Sequence, residues 1–520
     1  MAFVEMFFML TFVGVLLYRW SMGCYSYFGK RNVAFVKAKP LLGNVPLSVM
    51  MGSASYLRHS IELHQQLKQH KLYGIYNMRE PQYQLADAEL IRQVCVQHAE
   101  KFCNHRAGIH ADEESESESE GTMLSKMLLS LRNERWQRLR KALTPSFAGA
   151  SISKQCELLN ICSLQAAQHL ERQLRSSELE NVVELELSEF FTRYVNDVIA
   201  SAAFGLQVDS YLKPTNEFLT QAQQLSQLSL WGGIKVLLQM MMPKVTRLLK
   251  LRPMDFNNVD YFRNLLHKRQ SGKQKIMRAD MLQQLLQQQS QIAKQCNFSN
   301  EDLLAQCLLF ITAGWETVAS CLSFTCYELL MQPELQQKLY EELHAMEQQL
   351  AGKPLDYEAL VSLKYLDCVV AEALRKWPPT NTTDRECVEP FELRTAEGET
   401  LVQLQKGDLL HIPIAALHHD PDNFEQPMEF IPERFSDEHK AQIKPFSYLP
   451  FGLGARSCLG QEFALLQVKS LLYQLLLKFQ LLPCERTTQD MLNSLAGFSM
   501  QPRELFWCKI AARGFETEAQ

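Results

Sequence analysis

Phe451-Gly-Leu-Gly-Ala-Arg-Ser-Cys-Leu-Gly460, followed directly by the run QEFALLQVKSLLYQLLLKF from Gln461 to Phe479, is the stretch whose reading decides the fold. It has the form FxxGxRxCxG. A thiolate that ligates a metal needs a loop whose backbone N–H groups turn toward the sulfur and lower the thiol's pKa, and glycines permit that close approach. Gly452, Gly454 and Gly460 are read as supplying the room. Arg456 places a permanent cation two residues before Cys458, suited to a carboxylate. After Gly460 the apolar spacing turns helical, so Cys458 lies just ahead of a helix N-terminus, where a negative sulfur is favoured. A dinucleotide-loop reading of Gly452-Leu-Gly454 fails. Residue 457 is Ser where GxGxxG requires its third Gly, and the preceding stretch contains a proline instead of reading as a strand with an acidic partner about 20 residues on.

Other patterns stand at fixed places around this one. Ser299, with Asp302 three residues on, forms a capping box, and apolar residues then run to about Met331, roughly 30 residues or ~45 Å of helix. That length suits a membrane span, but Gln306, Glu316 and Thr317 near its middle favour a buried helix crossing a domain. Within it stands Ala313-Gly-Trp-Glu-Thr317. Ala313 and Thr317 share a face, and Gly314 is read as letting a ligand approach the backbone. Glu372-Ala-Leu-Arg375 sets opposite charges three apart on a helix that Trp377-Pro378-Pro379 ends. Arg385, Pro432-Glu-Arg-Phe435 and Trp136-x-x-x-Arg140 complete the set. His418 and His419 are read as surface hydrogen-bonding groups, because no third metal ligand of matching spacing accompanies them.

Together these residues resemble the cytochrome P-450 monooxygenases, and the order of the landmarks extends the resemblance over roughly residues 31 to 510. Leu143-Thr-Pro-Ser-Phe147, Asp197 to Gly205 and Ala416 to Pro421 are similar to the microsomal branch, particularly insect xenobiotic-metabolising members. The resemblance implies a haem whose axial ligand is the Cys458 thiolate, in a loop where Phe451, Gly454, Arg456 and Gly460 match the family pattern. It implies that Trp136, Arg140, Arg385 and Arg456 serve the haem propionates, and that Ala313 lies over the haem. Thr317 would hydrogen-bond the dioxygen being activated, with Glu316 relaying protons. Glu372, Arg375 and Arg434 would form a buried structural ion network beneath the haem. Pocket segments would be about 107–129, 206–222, 309–317, 380–384 and 495–500.

Length and composition are consistent with this. The chain has 520 residues, 46% of them hydrophobic, enough for one large domain or two ordinary ones. A net charge of −5 with no basic stripe excludes a nucleic-acid footprint. Its 14 cysteines include no CxxC pair and mostly sit in apolar helical patterns, which reads as reduced, core-filling thiols. Ala2 to Tyr18 is apolar but for Glu5 and Thr11, with basic residues following from Arg19 to Lys39. Cleaved signal peptide, interfacial helix and signal-anchor share that composition, and positive charge on the C-terminal side favours an anchor that leaves the rest in the cytosol. The expected division is an anchor and linker over 1–30 and a haem domain over 31–520.

Helical spacing is expected over Tyr56–His70 and Glu89–Phe102, with strand-like pieces at Gly74–Met78 and Tyr83–Leu85 between them. Ala111 to Gly121 reads ADEESESESEG; its six carboxylates must be solvated, and without them the net charge would move from −5 to +1. Ser115 and Ser117, each with Glu three residues on, are candidate phosphorylation sites. Beyond it the chain reads as mostly helical through Gln337, with Gln283 to Gln295 as an exposed helix end and connector. Short strands are expected between Phe391 and Pro413 and around Leu505 to Ile510. The fold class is therefore mainly α with small β-sheets, in one large domain.

The expected activity is insertion of one atom of O2 into a small apolar organic substrate, a xenobiotic or an endogenous lipid- or hormone-like molecule. With no Gly-rich flavin or nicotinamide motif in the chain, electrons would come from a separate NADPH-dependent flavoprotein reductase or from a small electron-transfer haem protein. Lys444 and Lys469 are expected on the docking face, and the endoplasmic reticulum membrane is the expected location. Peroxide isomerisation or dehydration on the same fold is an alternative that Ala313 to Thr317 argues against. A haem carrier or sensor without turnover is another, separable by reductase-coupled oxygen consumption.

Overall fold

The computed structural model describes residues 2–106, 123–147, 149–177, 181–226, 235, 238, 259–272, 280–296, 298–498 and 500–514. The acidic run and its two serines lie outside these residues. Helices dominate. The longest, Asn300–Met331, opens on the expected capping box: Ser299 Oγ accepts from the Asp302 N–H at 3.1 Å, and Asp302 Oδ2 accepts from the Ser299 N–H at 2.9 Å. Its side chains are buried along most of its length, and it packs on helices Leu187–Phe204, Lys364–Lys376 and Gln461–Lys478. This is a core helix, as its mid-length polar residues require.

Helix Leu187–Phe204 is capped by Glu186, whose carboxylate accepts from the N–H groups of Ser188 and Glu189, and it ends at Gly205 in the left-handed region, φ 62°. A side chain at 205 would collide with the buried Arg269–Asp280 ion pair, so this turn requires glycine twice over. These helices and Cys156–Ser176 enclose the main hydrophobic core.

Among the described residues nine strands form three small sheets. Strands β1 (Leu72–Asn77), β2 (Glu80–Leu85), β4 (Thr383–Glu386) and β7 (Leu409–Ile412) make a sheet of order β1-β2-β7-β4, in which only β2 and β7 run parallel. Strands β3 (Val182–Glu186), β8 (Phe479–Leu482) and β9 (Trp507–Ala512) form a second, and β5 (Phe391–Arg394) with β6 (Thr400–Leu404) a third. A second core lies on the four-stranded sheet, where Phe28, Tyr76 and Tyr83 meet Cys95, Leu417 and Leu449.

Strands β3, β4 and β8 were not foreseen. Each is four or five residues long, and each is held by pairing with a strand remote in sequence, which local alternation does not report. The Gln-rich stretch is also corrected: it lies inside helix Met281–Cys296, which buries Leu282, Leu285 and Ile292, so glutamines occupy the outer face of a packed helix. Of the 13 described cysteines ten are buried and none is disulfide-bonded.

Helix Ala2–Met22 is different. Its apolar side chains project outward, with Phe7 and Phe8 each 66% exposed and Phe12 64%. From Val4 to Met22 it is long and apolar enough to cross a membrane.

Candidate active site

Cys458 sits between a tight turn and a helix. The Leu449 carbonyl accepts from the Gly452 N–H at 3.0 Å, the Phe451 carbonyl accepts from the Cys458 N–H at 2.8 Å, and Gly460 is the N-cap of helix Gln461–Lys478. Gly452 and Gly454 have φ of 72° and 73°. At Gly454 a Cβ would stand 1.9 Å from the Cys95 carbonyl oxygen, so the loop can lie on the turn at Gln93–Gln97 only without a side chain there. Gly460 is a correction: its φ is −92° and its nearest neighbour, the Phe147 ring, is 3.8 Å from the Cβ position, so neither conformation nor space demands glycine.

Among the described cysteines Cys458 alone is exposed. Its sulfur is open on one side while protein surrounds it on the others, and this desolvation pushes the thiol up, against the pull of a Gly460 N–H hydrogen bond and the Arg140 charge. The expectation that loop N–H groups would leave the thiol depressed is thus corrected for the protein alone; a coordinating metal deprotonates a thiol outright.

Three cations face this region. Arg456 lies over the Trp136 ring at 3.9 Å and donates to the carbonyls of Cys103 at 2.7 Å and Leu131 at 2.8 Å. Arg385, 2% exposed, donates to the Leu453 carbonyl at 3.0 Å and the Asp384 carbonyl at 2.6 Å. Arg140 interacts electrostatically with Cys458. Burial, reinforced by the neighbouring charge of Arg385, pushes the Arg456 guanidinium down to about 9. Among the described residues, no carboxylate lies within ion-pairing distance of these three arginines. Neutral carbonyls orient Arg385 and Arg456 without cancelling their charge, which is what a ligand bearing two carboxylates requires.

Nor do the described residues contain any group of three or more His, Cys, Asp or Glu able to hold a metal ion. A lone thiolate holds iron only if the other ligands come with it, as a porphyrin's four nitrogens do. The donor set therefore fits haem.

Phe147 connects this loop to the long helix, since its ring lies against Gly460 and 5.4 Å, centroid to centroid, from that of Phe310. From Leu309 onward the otherwise buried helix opens: Ala313 and Glu316 are exposed and Thr317 is half-buried. The Thr317 hydroxyl donates to the Ala313 carbonyl at 2.7 Å. A Cβ at Gly314 would meet the Ile199 side chain at 3.4 Å, an ordinary van der Waals contact.

Glu372 and Arg375, both 0% exposed, form a bidentate pair with N···O distances of 2.7 and 2.8 Å; Arg434 joins Glu372 at 3.3 Å, and the Ile431 N–H donates to it at 2.9 Å. Arg375 also donates to the carbonyls of His418, Pro427 and Glu429. This side chain thereby holds the segment leading to Pro432–Phe435.

Two expectations fail here. His418 and His419 are 0% and 2% exposed instead of lying on the surface, because the short helix Ile414–His418, which His419 caps, is packed between helices Tyr56–Leu67 and Lys364–Lys376. Lys469 is 4% exposed and paired with Asp367 at 2.7 Å, so it is no docking residue; Lys444 is exposed. Sequence reasoning also missed a polar cluster beside the arginines. Asp384 accepts from the Arg106 N–H at 2.7 Å and meets His105 at 2.9 Å, while Arg132 pairs with Glu386 at 2.7 Å. The charged tripeptide Asp384-Arg385-Glu386 was its one visible sign.

Comparison with known proteins agrees with this geometry. The family model described as Cytochrome P450 matches residues 36–509. The chain is 50% identical to cytochrome P450 9c1 of Drosophila melanogaster over 99% of this chain and 100% of that one. It is 40% identical to probable cytochrome P450 9h1 of the same organism over 96% and 97%, and 29% identical to cytochrome P450 3A29 of Sus scrofa over 96% and 95%. With one exposed cysteine among those described, three carboxylate-seeking arginines and these relatives spanning its length, the chain belongs to the cytochrome P450 family, insect type: haem-thiolate monooxygenases that insert oxygen from O2 into organic substrates using NADPH-derived electrons.

Proposed function

We propose that this monooxygenase is held in the endoplasmic reticulum membrane by helix Ala2–Met22, with residues 31–520 as a cytosolic haem domain, and that it takes electrons from a separate NADPH-dependent flavoprotein reductase. Its substrate is a small apolar molecule, a xenobiotic or an endogenous lipid- or hormone-like compound. The outward apolar faces of the N-terminal helix support the anchor, since such a surface is not left in water.

Bound haem would supply the activation of O2. The chain's residues hold and serve it. Cys458 would be the thiolate ligand of the iron, in a loop that Phe451 and Gly454 shape and Gly460 ends as the helix N-cap. Arg385 and Arg456, the latter stacked on Trp136, take the carboxylates, with Arg140 beside the sulfur. Ala313 leaves the helix surface low enough for a ligand. Thr317 keeps its hydroxyl proton on the Ala313 carbonyl, and rotation of that hydroxyl makes it a donor toward the site. The exposed Glu316 carboxyl, one residue away, exchanges protons with solvent. Glu372, Arg375 and Arg434 act structurally.

The observation that carries the reading is the exposed Cys458 with Arg140 beside it and Arg385 and Arg456 on its loop, none of the three having a carboxylate partner among the described residues. The reduced protein with carbon monoxide should give the red-shifted Soret band of a thiolate ligand, and Cys458→His should abolish it; persistence of the band would defeat the assignment.

A further inference from the structure

The Glu372–Arg375 network and the Cys458 loop are tied together by a residue with no place in either motif. The His418 ring is fully buried, stacked on Tyr448 with centroids 5.5 Å apart and edge-on to Phe424 at 6.1 Å. Its Nε2 lies 2.8 Å from the Leu449 backbone nitrogen, whose hydrogen it must accept. An imidazole accepting at Nε2 is neutral and carries its proton on Nδ1. Nδ1 is 3.0 Å from the Arg375 carbonyl oxygen, the acceptor that tautomer needs. Arg375 reciprocates, donating through Nη1 to the His418 carbonyl at 2.8 Å. Leu449, whose N–H is thus fixed, accepts through its carbonyl from Gly452, and the Phe451 carbonyl accepts from the Cys458 N–H. The path from the ion network to the Cys458 backbone is therefore a few hydrogen bonds joined by a short stretch of main chain.

We propose that His418 is a positioning residue for the axial thiolate: by accepting the Leu449 N–H while donating to the Arg375 carbonyl, it fixes the start of the Cys458 loop against the buried ion network. The inference rests on the reading of Cys458 as the iron ligand. Burial and the Arg375 charge hold the imidazole well below its ordinary range, and His419 acts in the same sense, so the ring keeps this tautomer across the neutral range.

Two amide substitutions separate the two hydrogen bonds. In His418→Gln the amide oxygen replaces Nε2 and still accepts the Leu449 N–H; in His418→Asn the amide nitrogen replaces Nδ1 and keeps only the bond to Arg375. Two readouts apply to the full-length holoprotein: amide hydrogen exchange over residues 447–458, and the rate at which the reduced carbon monoxide complex loses its thiolate band on mild warming. We expect His418→Asn to raise both by about tenfold, the worth of one buried hydrogen bond, and His418→Gln to stay within about threefold of wild type. Equal behaviour of the two variants, or wild-type exchange in His418→Asn, overturns the proposal and leaves His418 as core filler. If His418→Asn yields no folded protein, His418→Gln decides, and fast exchange there overturns it. Absence of a thiolate band in wild type would instead defeat the reading of Cys458 and leave the exchange result standing.

Discussion

The guanidinium carbon of Arg456 lies 3.9 Å from the centroid of the Trp136 ring, joining two landmarks 320 residues apart in sequence into one cation–π pair beside the Cys458 loop. A stacked, forked guanidinium is not interchangeable with an ammonium. Arg456→Lys loses the stack and the two carbonyl bonds to Cys103 and Leu131, so haem affinity should fall about tenfold or more by titration of the haem-free protein. Trp136→Phe keeps an aromatic face and should lose under threefold.

Glu372 is the only carboxylate of its network, with Arg375 fully buried beside it. Glu372→Gln leaves that guanidinium without its counter-charge and should cost about 3–5 kcal/mol in denaturant unfolding. A loss below about 1 kcal/mol would show that the carbonyls of His418, Pro427 and Glu429 suffice.

Thr317 has a hydroxyl whose resting partner is the Ala313 carbonyl, so removing it costs the fold little. Thr317→Ala should keep haem and substrate binding while diverting electrons to peroxide, read as product formed per NADPH consumed. An unchanged ratio removes Thr317 from proton delivery.

Much of this was legible because the chemistry is local. FxxGxRxCxG, the capping box at Ser299 and the Ala313–Thr317 face each depend on residues within one loop or a few helical turns. What escaped depends on neighbours remote in sequence. Strand β4 exists through its pairing with β7, and His418 is buried because helices Tyr56–Leu67 and Lys364–Lys376 pack on its short helix while Phe424 and Tyr448 cover the ring. Lys469 reads as a surface lysine, and only its pairing with Asp367 explains how it is buried. Gly454 and Gly460 look equivalent as letters of one motif, yet the Cys95 carbonyl stands against only the first.

That difference is testable. Gly454→Ala forces a Cβ onto a backbone oxygen at positive φ, so it should yield little folded holoprotein. Gly460→Ala should unfold within about 1 kcal/mol of wild type, since its φ is ordinary and an N-cap tolerates alanine at modest cost. Equal damage from both would mean that the loop is held by contacts other than the Cys95 turn.

The buried histidines predict an acid-sensitive fold. Burial depresses His411 to about 4 and His419 to about 3, against an ordinary 6.5. Below pH 6.5 the unfolded chain binds protons that the native protein refuses, so stability is fully present above 6.5 and falls as pH drops toward 4 for His411 and 3 for His419. Asp384 and Asp420, both held at about 2 against burial by their hydrogen bonds to His105 and to His64 and Lys68, add a separate loss between about pH 4 and 2. His419 isolates one proton. Its Nδ1 meets the Ala415 carbonyl at 2.8 Å, while its buried Nε2 has no partner among the described residues. His419→Asn keeps a donor for Ala415 and removes both the titrating ring and the unpaired nitrogen. Between pH 6 and 4.5 the slope of unfolding free energy against pH should therefore decrease by about 1.4 kcal/mol per pH unit, with stability at pH 8 within about 1 kcal/mol of wild type. Urea unfolding at a series of pH values measures both, and an unchanged slope would mean that His419 takes up its proton in the folded protein.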